Sequence, residues 1–426
     1  MPNLYSMEIT TIIRVISIDS YEILPTEKHM EFHLTEEQRM IRDTVRHFVD
    51  RELNPQLVQS NDSNEEFSLD ILKKLARQDL LGAPIPEKYG GLGLDQVAWG
   101  IVCEEIGRGS AAVFTTANTV QISLVAQTIL NFGSEEQKDR YLPRLCRGEL
   151  IACFGLTEPG TGSDPASMQT RAIQDGADWI INGGKMWVSN GGIADLALVF
   201  AQTDLSLSRN ESYKGIAAFL VERSNSGFSS IDLHGKLGLR SSNTAQLVFQ
   251  NCHVGKENLL GEVGRGFQIA MSALDSGRYS TGACAVGIGQ ACIDSSTRYS
   301  QERYQFGRAI GEFQLVQELL VEMVVENEAS RLLVRQAGEF KDFQAERKLV
   351  SLKTSLAKYY ATESAVRAAR SAIQLHGGYG YSSDYHVERY LRDAIGLTLY
   401  EGTSQIQKLI IGRTLLGLDA FGSSLG

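Results

Sequence analysis

Proline is confined to the first part of this chain, and this distribution constrains the fold strongly. The chain has 426 residues and eight prolines, and Pro165 is the last of them. Proline removes a backbone hydrogen bond and clashes with the preceding turn, so it breaks long helices. The proline-free remainder can therefore form long uninterrupted helices. Apolar residues recur there at helical spacing, which predicts helices over residues 267–303, 312–340, 345–377 and 383–392.

The residues before about position 150 are also predicted to be mainly helical. Thr35 and Gln38 have the spacing of a capping box, in which each side chain bonds the other residue's backbone amide. Further helices are predicted over residues 68–78, 96–106 and 117–132. A last one is predicted to begin at Ser134 and to end before Pro143.

After residue 150 the pattern changes to short apolar runs separated by glycine and serine. Such runs predict strands, here over residues 196–201, 217–222 and 245–249, with a strand and a turn over 179–185. We therefore expect an α+β chain that is mostly α. The predicted parts are an extension at 1–29 that can be disordered, an N-terminal helical domain at 30–152, a middle β domain at 153–263 and a C-terminal helical bundle at 264–426.

Composition argues against several classes of function. The formal net charge of −10 argues against non-specific nucleic-acid binding, which requires a basic surface. The six cysteines form no CxxC pair and no cluster with metal-ligand spacing, so free thiols and no metal site are expected. No run approaches the roughly 20 apolar residues of a membrane span. Because Arg14 interrupts the apolar run 9–18, no signal peptide is expected either, and a cytoplasmic location is the prediction.

Glu401 lies at the mouth of an apolar helix and is a candidate catalytic base. Thr403 or Ser404 can cap the helix that follows it. Burial in such a place raises the pKa of a carboxyl toward neutrality, which makes it a competent general base. A solvated surface group is the simpler interpretation of a lone glutamate, but its neighbours are apolar: Leu397, Leu399, Tyr400, Ile406, Leu409 and Ile410.

Three motifs together resemble the acyl-CoA dehydrogenase family of flavoproteins. They are Thr-Glu-Pro-Gly-Thr-Gly-Ser-Asp at 157–164, Lys-Met-Trp-Val-Ser-Asn-Gly at 185–191 and Tyr-Glu-Gly-Thr-Ser-Gln-Ile-Gln at 400–407. The resemblance covers roughly residues 30–420. It implies a middle domain built as a barrel-like or orthogonal sheet, followed by a C-terminal four-helix bundle.

The chemistry that the resemblance implies is α,β-dehydrogenation of an acyl thioester. Glu401 would take the pro-R α-proton while the β-hydride leaves to flavin N5. Hydrogen bonds from the Glu401 backbone N–H and a flavin ribityl hydroxyl would stabilise the developing enolate. One subgroup of the family carries its base at the position of Gly277, which has no side chain here. Glu401 is therefore the one base that matches.

The resemblance also implies FAD, although the chain has no Gly-x-Gly-x-x-Gly motif of the dinucleotide-binding type. Thr157 would bond the pyrimidine edge of the flavin, and Ser163 its pyrophosphate. Trp187 would stack near the ring, and Ser189 would reach N5. Arg303 lies in a segment that resembles the one by which a neighbouring subunit binds FAD in the family. The remaining matched positions are Gln305, Phe306, Gln314, Gln374, Gly377, Gly378, Thr403 and Gln405.

Substrate contacts are implied for Ser163, Asp275, Arg278, Tyr400 and Gly402. Simpler structural roles remain open for several of the matched residues. Asp275 and Arg278 have the spacing of an ion pair on a helix surface. Trp187 and Phe306 could be core packing. Gly377 and Gly378 could end a helix.

The wording of the motifs is closest to the glutaryl-CoA and short-chain branches. The glutaryl branch places an arginine where this chain has Thr115, so a short or branched neutral acyl group is expected. Coenzyme A or an acyl carrier protein could carry it, and an electron-transfer flavoprotein is the expected acceptor. The resemblance implies a homo-oligomer built as a dimer of dimers. The alternatives are an oxygen-dependent acyl oxidase or monooxygenase of the same fold, or a non-catalytic assembly factor.

Overall fold

The computed structural model describes residues 34–418. Contacts divide the chain into two compact units, Met1–Met40 and Ile41–Gly426. In the first unit, the Gln38 N–H donates to the Thr35 hydroxyl at 3.1 Å, and the Thr35 N–H donates to the Gln38 amide oxygen at 3.2 Å. The predicted capping box is therefore confirmed. The predicted extension at 1–29 lies outside the described residues.

Helices α1 to α6 occupy the chain before residue 150. One of them was missing from the prediction, although Asn54 caps it by accepting the Leu57 N–H at 3.0 Å and Pro55 stands in its first turn. The expected stop before Pro143 is wrong, because this proline lies inside α6 and removes only one amide donor near its end. The bounds are α1 (Glu36–Glu52), α2 (Pro55–Asn64), α3 (Leu69–Ala76), α4 (Gln96–Gly109), α5 (111–132) and α6 (Glu135–Cys146).

Helix α5 changes its winding along its length. It begins as an α-helix at Ala111–Phe114, continues as a π-helix over Thr115–Ala126 and ends as an α-helix at Gln127–Phe132. The wide winding is visible where the Gln127 N–H donates to the Ile122 carbonyl, five residues back. All twelve residues of the π segment are buried, so this helix is part of the interior on every side.

A mixed sheet of eight strands follows. In the main path the strand order is β6-β7-β3-β2-β4-β5-β8, and β1 pairs with β4 in parallel. The turn expected within 179–185 is instead a register shift inside the long strand β3, where Gly183 has a φ of 143°. The bounds are β1 (Ala152–Gly155), β2 (Arg171–Asp175), β3 (Asp178–Ser189), β4 (Leu196–Gln202), β5 (Ile216–Glu222), β6 (Phe228–Asp232), β7 (Thr244–Val254) and β8 (Leu259–Leu260).

Five helices and one hairpin complete the described chain. The long proline-free helices are confirmed, and the fold is α+β and mostly α, as expected. The last predicted helix differs, since α10 starts at residue 387 rather than 383 and runs seven residues past 392. The bounds are α7 (Gly266–Glu302), β9 (Tyr304–Gln305), β10 (Arg308–Ala309), α8 (Gln314–Asp342), α9 (Arg347–His376), α10 (Val387–Leu399) and α11 (Ser404–Leu416).

The described core has three apolar clusters. One joins the N-terminal helices to α7, α8 and α9, a second lies between α5, α6, the sheet and α7, and a third fills the sheet. Small residues dominate where α7 meets α9, including Ala283, Ala285, Ala361 and Ala365. Among residues 34–418, no helix combines the length and apolar character needed to cross a bilayer.

Candidate active site

The turn between α10 and α11 has an unusual backbone. Tyr400 is extended, Glu401 has a φ of 55° and Gly402 has a φ of 85°. A left-handed φ costs a non-glycine residue roughly 1–3 kcal/mol when the conformation is sparsely populated, and it persists only when the surroundings hold it. The Thr403 hydroxyl then accepts the Ile406 N–H at 3.3 Å, which starts α11 and confirms one of the two expected caps.

Three side chains hold the two carbonyls of this turn. Arg278 donates through Nε to the Glu401 carbonyl at 3.3 Å. Gln407 donates through Nε2 to the carbonyls of Glu401 and Gly402, at 3.0 and 2.8 Å. Lys358 donates through Nζ to the Gly402 carbonyl at 2.9 Å. The left-handed conformation is therefore fixed by side chains from α7, α9 and α11.

The Glu401 carboxylate points at the bare backbone of Gly277. A Cβ built on Gly277 would lie 2.6 Å from the Glu401 Cδ and 3.0 Å from the Leu124 Cδ2. The Glu401 residue is half-buried, but its Oε2 is buried and has no hydrogen-bond partner among the described residues. Burial raises the pKa of Glu401 to about 7, against the opposing charges of Arg278 and Lys358. An enclosed, unpaired carboxylate of this kind can act as a general base near neutral pH.

Asp275 and Arg278 form a buried ion pair. Arg278 Nη1 lies 2.7 Å from Asp275 Oδ1, and both side chains are less than a tenth exposed. An exposed pair on a helix surface is therefore the wrong interpretation. Because Arg278 also holds the Glu401 carbonyl, the pair lies directly beneath the turn.

The wall beside Tyr400 carries no charge from α5. Thr115 is buried, donates its hydroxyl to the Ala111 carbonyl at 2.8 Å, and lies 3.4 Å from the Tyr400 hydroxyl. Burial raises the pKa of Tyr400 well above its ordinary value. Thr115, which the resemblance matches to the arginine of the glutaryl branch, therefore places a neutral hydroxyl group against Tyr400.

The loop after β1 is held by a buried ion pair. Lys185 Nζ lies 2.7 Å from Glu158 Oε1, and the carboxylate also accepts the backbone N–H groups of Gln169 and Thr170 at 2.6 and 2.9 Å. The Met186 N–H donates to the Thr157 carbonyl at 2.8 Å. The first two motifs are therefore joined side by side, with Thr157 half-buried at their junction.

Trp187 lies where β3 leaves its regular register, and Ser189 lies just after the register resumes. The pairing with β7 shifts between Lys185 and Val188, and Trp187 has a φ of 59°. The Trp187 side chain is 61% exposed, so it is not core packing. Ser189 is half-buried and pairs with Thr244. The exposed indole therefore presents a flat face to solvent two residues before the half-buried Ser189.

The second set of predicted cofactor residues is exposed. Arg303 ends α7, and its guanidinium carbon lies 5.6 Å from the centre of the Tyr379 ring. Phe306 and Gly307 form the tight turn of the β9–β10 hairpin, and Phe306 is 93% exposed, which excludes a core role. Gly377 ends α9 with a φ of 62°, as the structural alternative anticipated. The other exposed members are Gln305, Gln314, Gln374 and Gly378.

Models of a known protein family match most of the described chain. Those for the N-terminal, middle and C-terminal domains of acyl-CoA dehydrogenases match residues 35–149, 153–252 and 264–416. The chain belongs to the acyl-CoA dehydrogenase family. It is an enzyme of that family, and FAD is its cofactor.

Individual acyl-CoA dehydrogenases and related proteins are similar over almost their full length. The short-chain specific acyl-CoA dehydrogenase of Clostridium acetobutylicum is 40% identical, over 90% of this chain and 98% of the relative. The solved butyryl-CoA dehydrogenase of Megasphaera elsdenii is 36% identical with a TM-score of 0.86, over 91% of this chain and all of that one. The prolyl acyl carrier protein oxidase AnaB is 36% identical with a TM-score of 0.85, with the same coverage.

The described residues fit the family's cofactor. The exposed indole of Trp187 offers a flat apolar face. Gly160 and Gly162 have no atom within 4 Å of the place where a Cβ would stand, which leaves space for a phosphate group beside the exposed Ser163. The buried hydroxyl of Thr161 has no partner among residues 34–418. Which residues contact FAD stays a prediction.

Four residues that hold the candidate site together had no predicted role. Glu158 and Lys185 lie inside the quoted motifs, yet their pairing across 27 residues is visible only in the fold. Lys358 lies among small and apolar residues of α9 and belongs to none of the three motifs. A charge in apolar surroundings was the one sequence feature that could have drawn attention to it. Gln407 is the last residue of the third motif. Its two hydrogen bonds to the turn depend on the geometry of α11, which the sequence does not show.

Proposed function

We propose that this chain catalyses FAD-dependent α,β-dehydrogenation of a short, neutral acyl thioester. The observation that carries the proposal is the Glu401 carboxylate, enclosed over Gly277 with one oxygen unpaired. A buried carboxylate without a partner is costly to a fold, so its position needs a functional reason. Proton abstraction from a bound substrate supplies that reason.

Glu401 takes the α-proton of the thioester. The electron pair of the Cα–H bond forms the new double bond as a hydride leaves the β carbon. A free carboxylate in water is a weak base, but burial raises the pKa of Glu401 to about 7. This pKa is closer to that of the substrate's α-proton, so proton transfer is easier. By resemblance, the Glu401 backbone N–H donates to the thioester carbonyl and stabilises the developing enolate.

Bound FAD supplies the acceptor for the β-hydride. We assign Thr157, Ser163, Trp187 and Ser189 to its flavin side within one chain. We assign Arg303, Gln305, Phe306, Gln374, Gly377 and Gly378 to a grip from a neighbouring copy, because these residues are exposed. A dimer of dimers would provide that neighbour. Gln314, Thr403 and Gln405 complete the cofactor assignment.

The substrate class follows from the charges near Tyr400. Thr115 places a neutral hydroxyl where a dicarboxylate substrate would need a cation, and Arg278 is already paired with Asp275. An unpaired substrate carboxylate buried there would cost several kcal/mol. The similar butyryl-CoA dehydrogenase also supports a short acyl group. Ser163, Asp275, Arg278, Tyr400 and Gly402 are the proposed substrate contacts.

The test is an anaerobic titration of the purified holoenzyme with a panel of acyl-CoAs, butyryl and isobutyryl before longer chains and glutaryl. Bleaching of the oxidised-flavin band by a short neutral acyl-CoA supports the proposal. The bleaching rate at subsaturating substrate should rise with pH through about 7 as Glu401 ionises. Bleaching by glutaryl-CoA alone would contradict the assigned substrate class.

A second candidate is an oxygen-dependent acyl carrier protein oxidase, which the similarity to AnaB favours. The discriminating measurement is reoxidation of the reduced enzyme. Fast reoxidation by an electron-transfer flavoprotein and slow reoxidation by air support the dehydrogenase, which is expected in the cytoplasm. Fast reoxidation by air, with reduction only by a carrier-bound substrate, supports the oxidase.

A further inference from the structure

Lys358 is a fully buried lysine in the middle of α9. It is 0% exposed, and the described carboxylates that face it, Glu401 and Glu363, act on its ammonium through charge alone without a hydrogen bond. Its hydrogen bond is to the Gly402 carbonyl at 2.9 Å. Burying a lysine without a carboxylate partner is unfavourable, so such residues are rare and need a specific reason.

The bond reaches the backbone of the residue after the proposed base, rather than the side chain of the base. The Gly402 carbonyl accepts two donors, Lys358 Nζ at 2.9 Å and Gln407 Nε2 at 2.8 Å. This carbonyl belongs to the residue after Glu401, and the φ of 55° at Glu401 itself is unfavourable for glutamate. Lys358 therefore stabilises the conformation that directs both the carboxylate and the backbone of Glu401.

Lys358 also belongs to the small set of charges around Glu401. The charged groups that face Lys358 are Glu401 from the turn, Arg278 from α7 and Glu363 from its own helix. Asp275 pairs with Arg278, and Lys341 of α8 lies near Asp275. Burial lowers the pKa of Lys358 to about 7, while Glu401 opposes that shift. Each of the two groups therefore stabilises the charged form of the other.

We propose that Lys358 is a positioning residue: it fixes the left-handed Glu401–Gly402 turn through the Gly402 carbonyl, and its charge favours the ionised form of the base. This inference rests on the proposed function of Glu401. Two substitutions separate the two parts of the role. Lys358→Gln keeps an N–H donor and removes the charge, whereas Lys358→Met removes both. Lys353→Met, on the same helix and bonded to Gln336 instead, is the matched control.

The test measures α-proton exchange in the holoenzyme and needs no redox step. The probe is an acyl-CoA in which sulfur replaces the β carbon, so that the α-proton can leave but no hydride can. Exchange into deuterated water is followed by mass spectrometry across pH. Loss of the charge should move the pH midpoint upward by about one pH unit in both Lys358 variants. Loss of the bond should lower the plateau by roughly tenfold in Lys358→Met only.

The outcomes separate this inference from the proposed function. If the wild type exchanges the α-proton no faster than Glu401→Gln, Glu401 is not the base. The proposed role of Lys358 then fails with it. Normal wild-type exchange with unmoved midpoints in both Lys358 variants would overturn the positioning role alone. A lower plateau with an unmoved midpoint would also overturn it, because a purely structural lysine predicts that pattern. If Lys358→Met fails to fold, the midpoint of Lys358→Gln still decides.

Discussion

Two turns of this molecule have nearly the same backbone and opposite surroundings. Glu401 and Phe306 have φ values of 55° and 53°, and each is followed by a glycine with a positive φ. The carbonyls of Glu401 and Gly402 accept hydrogen bonds from Arg278, Gln407 and Lys358. Phe306 is 93% exposed. Within the described chain its ring has one aromatic contact, an edge-to-face contact with Phe313 at 6.0 Å between ring centroids.

The difference distinguishes a turn whose surroundings are complete within one chain, at Glu401, from a turn that one chain leaves exposed, at Phe306. The Glu401 turn is held on several sides by its own chain, which would keep the proposed base in position. The Phe306 turn is a regular hairpin turn in which left-handed residues are expected, and it holds a large apolar ring in solvent. A left-handed residue is therefore not itself a sign of function. The bonds around it distinguish the two cases.

The largest effect is expected for Glu401→Gln. The amide keeps the size of the side chain and cannot accept the α-proton, so flavin reduction by a good acyl-CoA should fall about 10³-fold. The variant should keep its fold and its yellow colour, because Glu401 is not assigned to FAD. Stopped-flow absorbance measures the rate. Reduction at the wild-type rate would remove Glu401 from the mechanism.

A smaller loss is expected for Gly277→Ala. The new methyl group would lie 2.6 Å from the Glu401 Cδ and would displace the carboxylate. Overpacking of this kind costs about 1–3 kcal/mol, or about 5–150-fold in reduction rate if the whole cost falls on the reacting geometry. Gly282→Ala on the same helix is the control, since its nearest atom is 3.4 Å away. Equal rates in both variants would contradict the placement of the carboxylate.

Arg303→Ala tests the exposed residues beside the β9–β10 hairpin. A guanidinium that binds phosphate through charged hydrogen bonds contributes enough for about a tenfold loss of FAD affinity. Arg298→Ala, an exposed arginine on the same helix, should leave FAD affinity unchanged. Equilibrium dialysis of the flavin measures both. Unchanged affinity in Arg303→Ala would leave the hairpin without a role in the cofactor site.

Phe306→Ala should have the smallest effect. The free energy of unfolding should change by less than about 0.5 kcal/mol, because an exposed side chain loses little packing. FAD affinity should fall a few-fold if a neighbouring copy brings the cofactor against this ring. Phe343→Ala, at an 82% exposed phenylalanine, supplies the same change elsewhere. A large loss of stability in Phe306→Ala alone would mean that the hairpin is held within its own chain.

Much of the fold follows from local sequence rules. The capping box at Thr35 and the proline-free helices depend on neighbouring residues, and both are confirmed. Helix α2 shows the limit, since Asn54 and Pro55 are a normal start signal, but its sequence is polar and weakly periodic. The wide winding of α5 could not be predicted, because polar and apolar residues are buried alike on every side and leave no apolar stripe to show the period.

The site divides in the same way. Glu401 could be predicted from its motif and its apolar neighbours, and its raised pKa agrees with that expectation. The bonds from Lys358 and Arg278 could not, because they join residues far apart in sequence through the packing of three helices. The Glu158–Lys185 pair likewise depends on the register of β3 beside the loop after β1.

The most direct test of the central comparison mixes two variants, each defective in one part of the site. Glu401→Gln and Arg303→Ala chains are unfolded, combined, refolded and assayed for flavin reduction at an FAD concentration at which Arg303→Ala alone binds little cofactor. If each site uses Glu401 from one chain and Arg303 from its neighbour, a mixed pair contains one intact site, and random pairing restores about a quarter of wild-type activity. Activity no higher than the average of the two separate variants would contradict a site shared between chains.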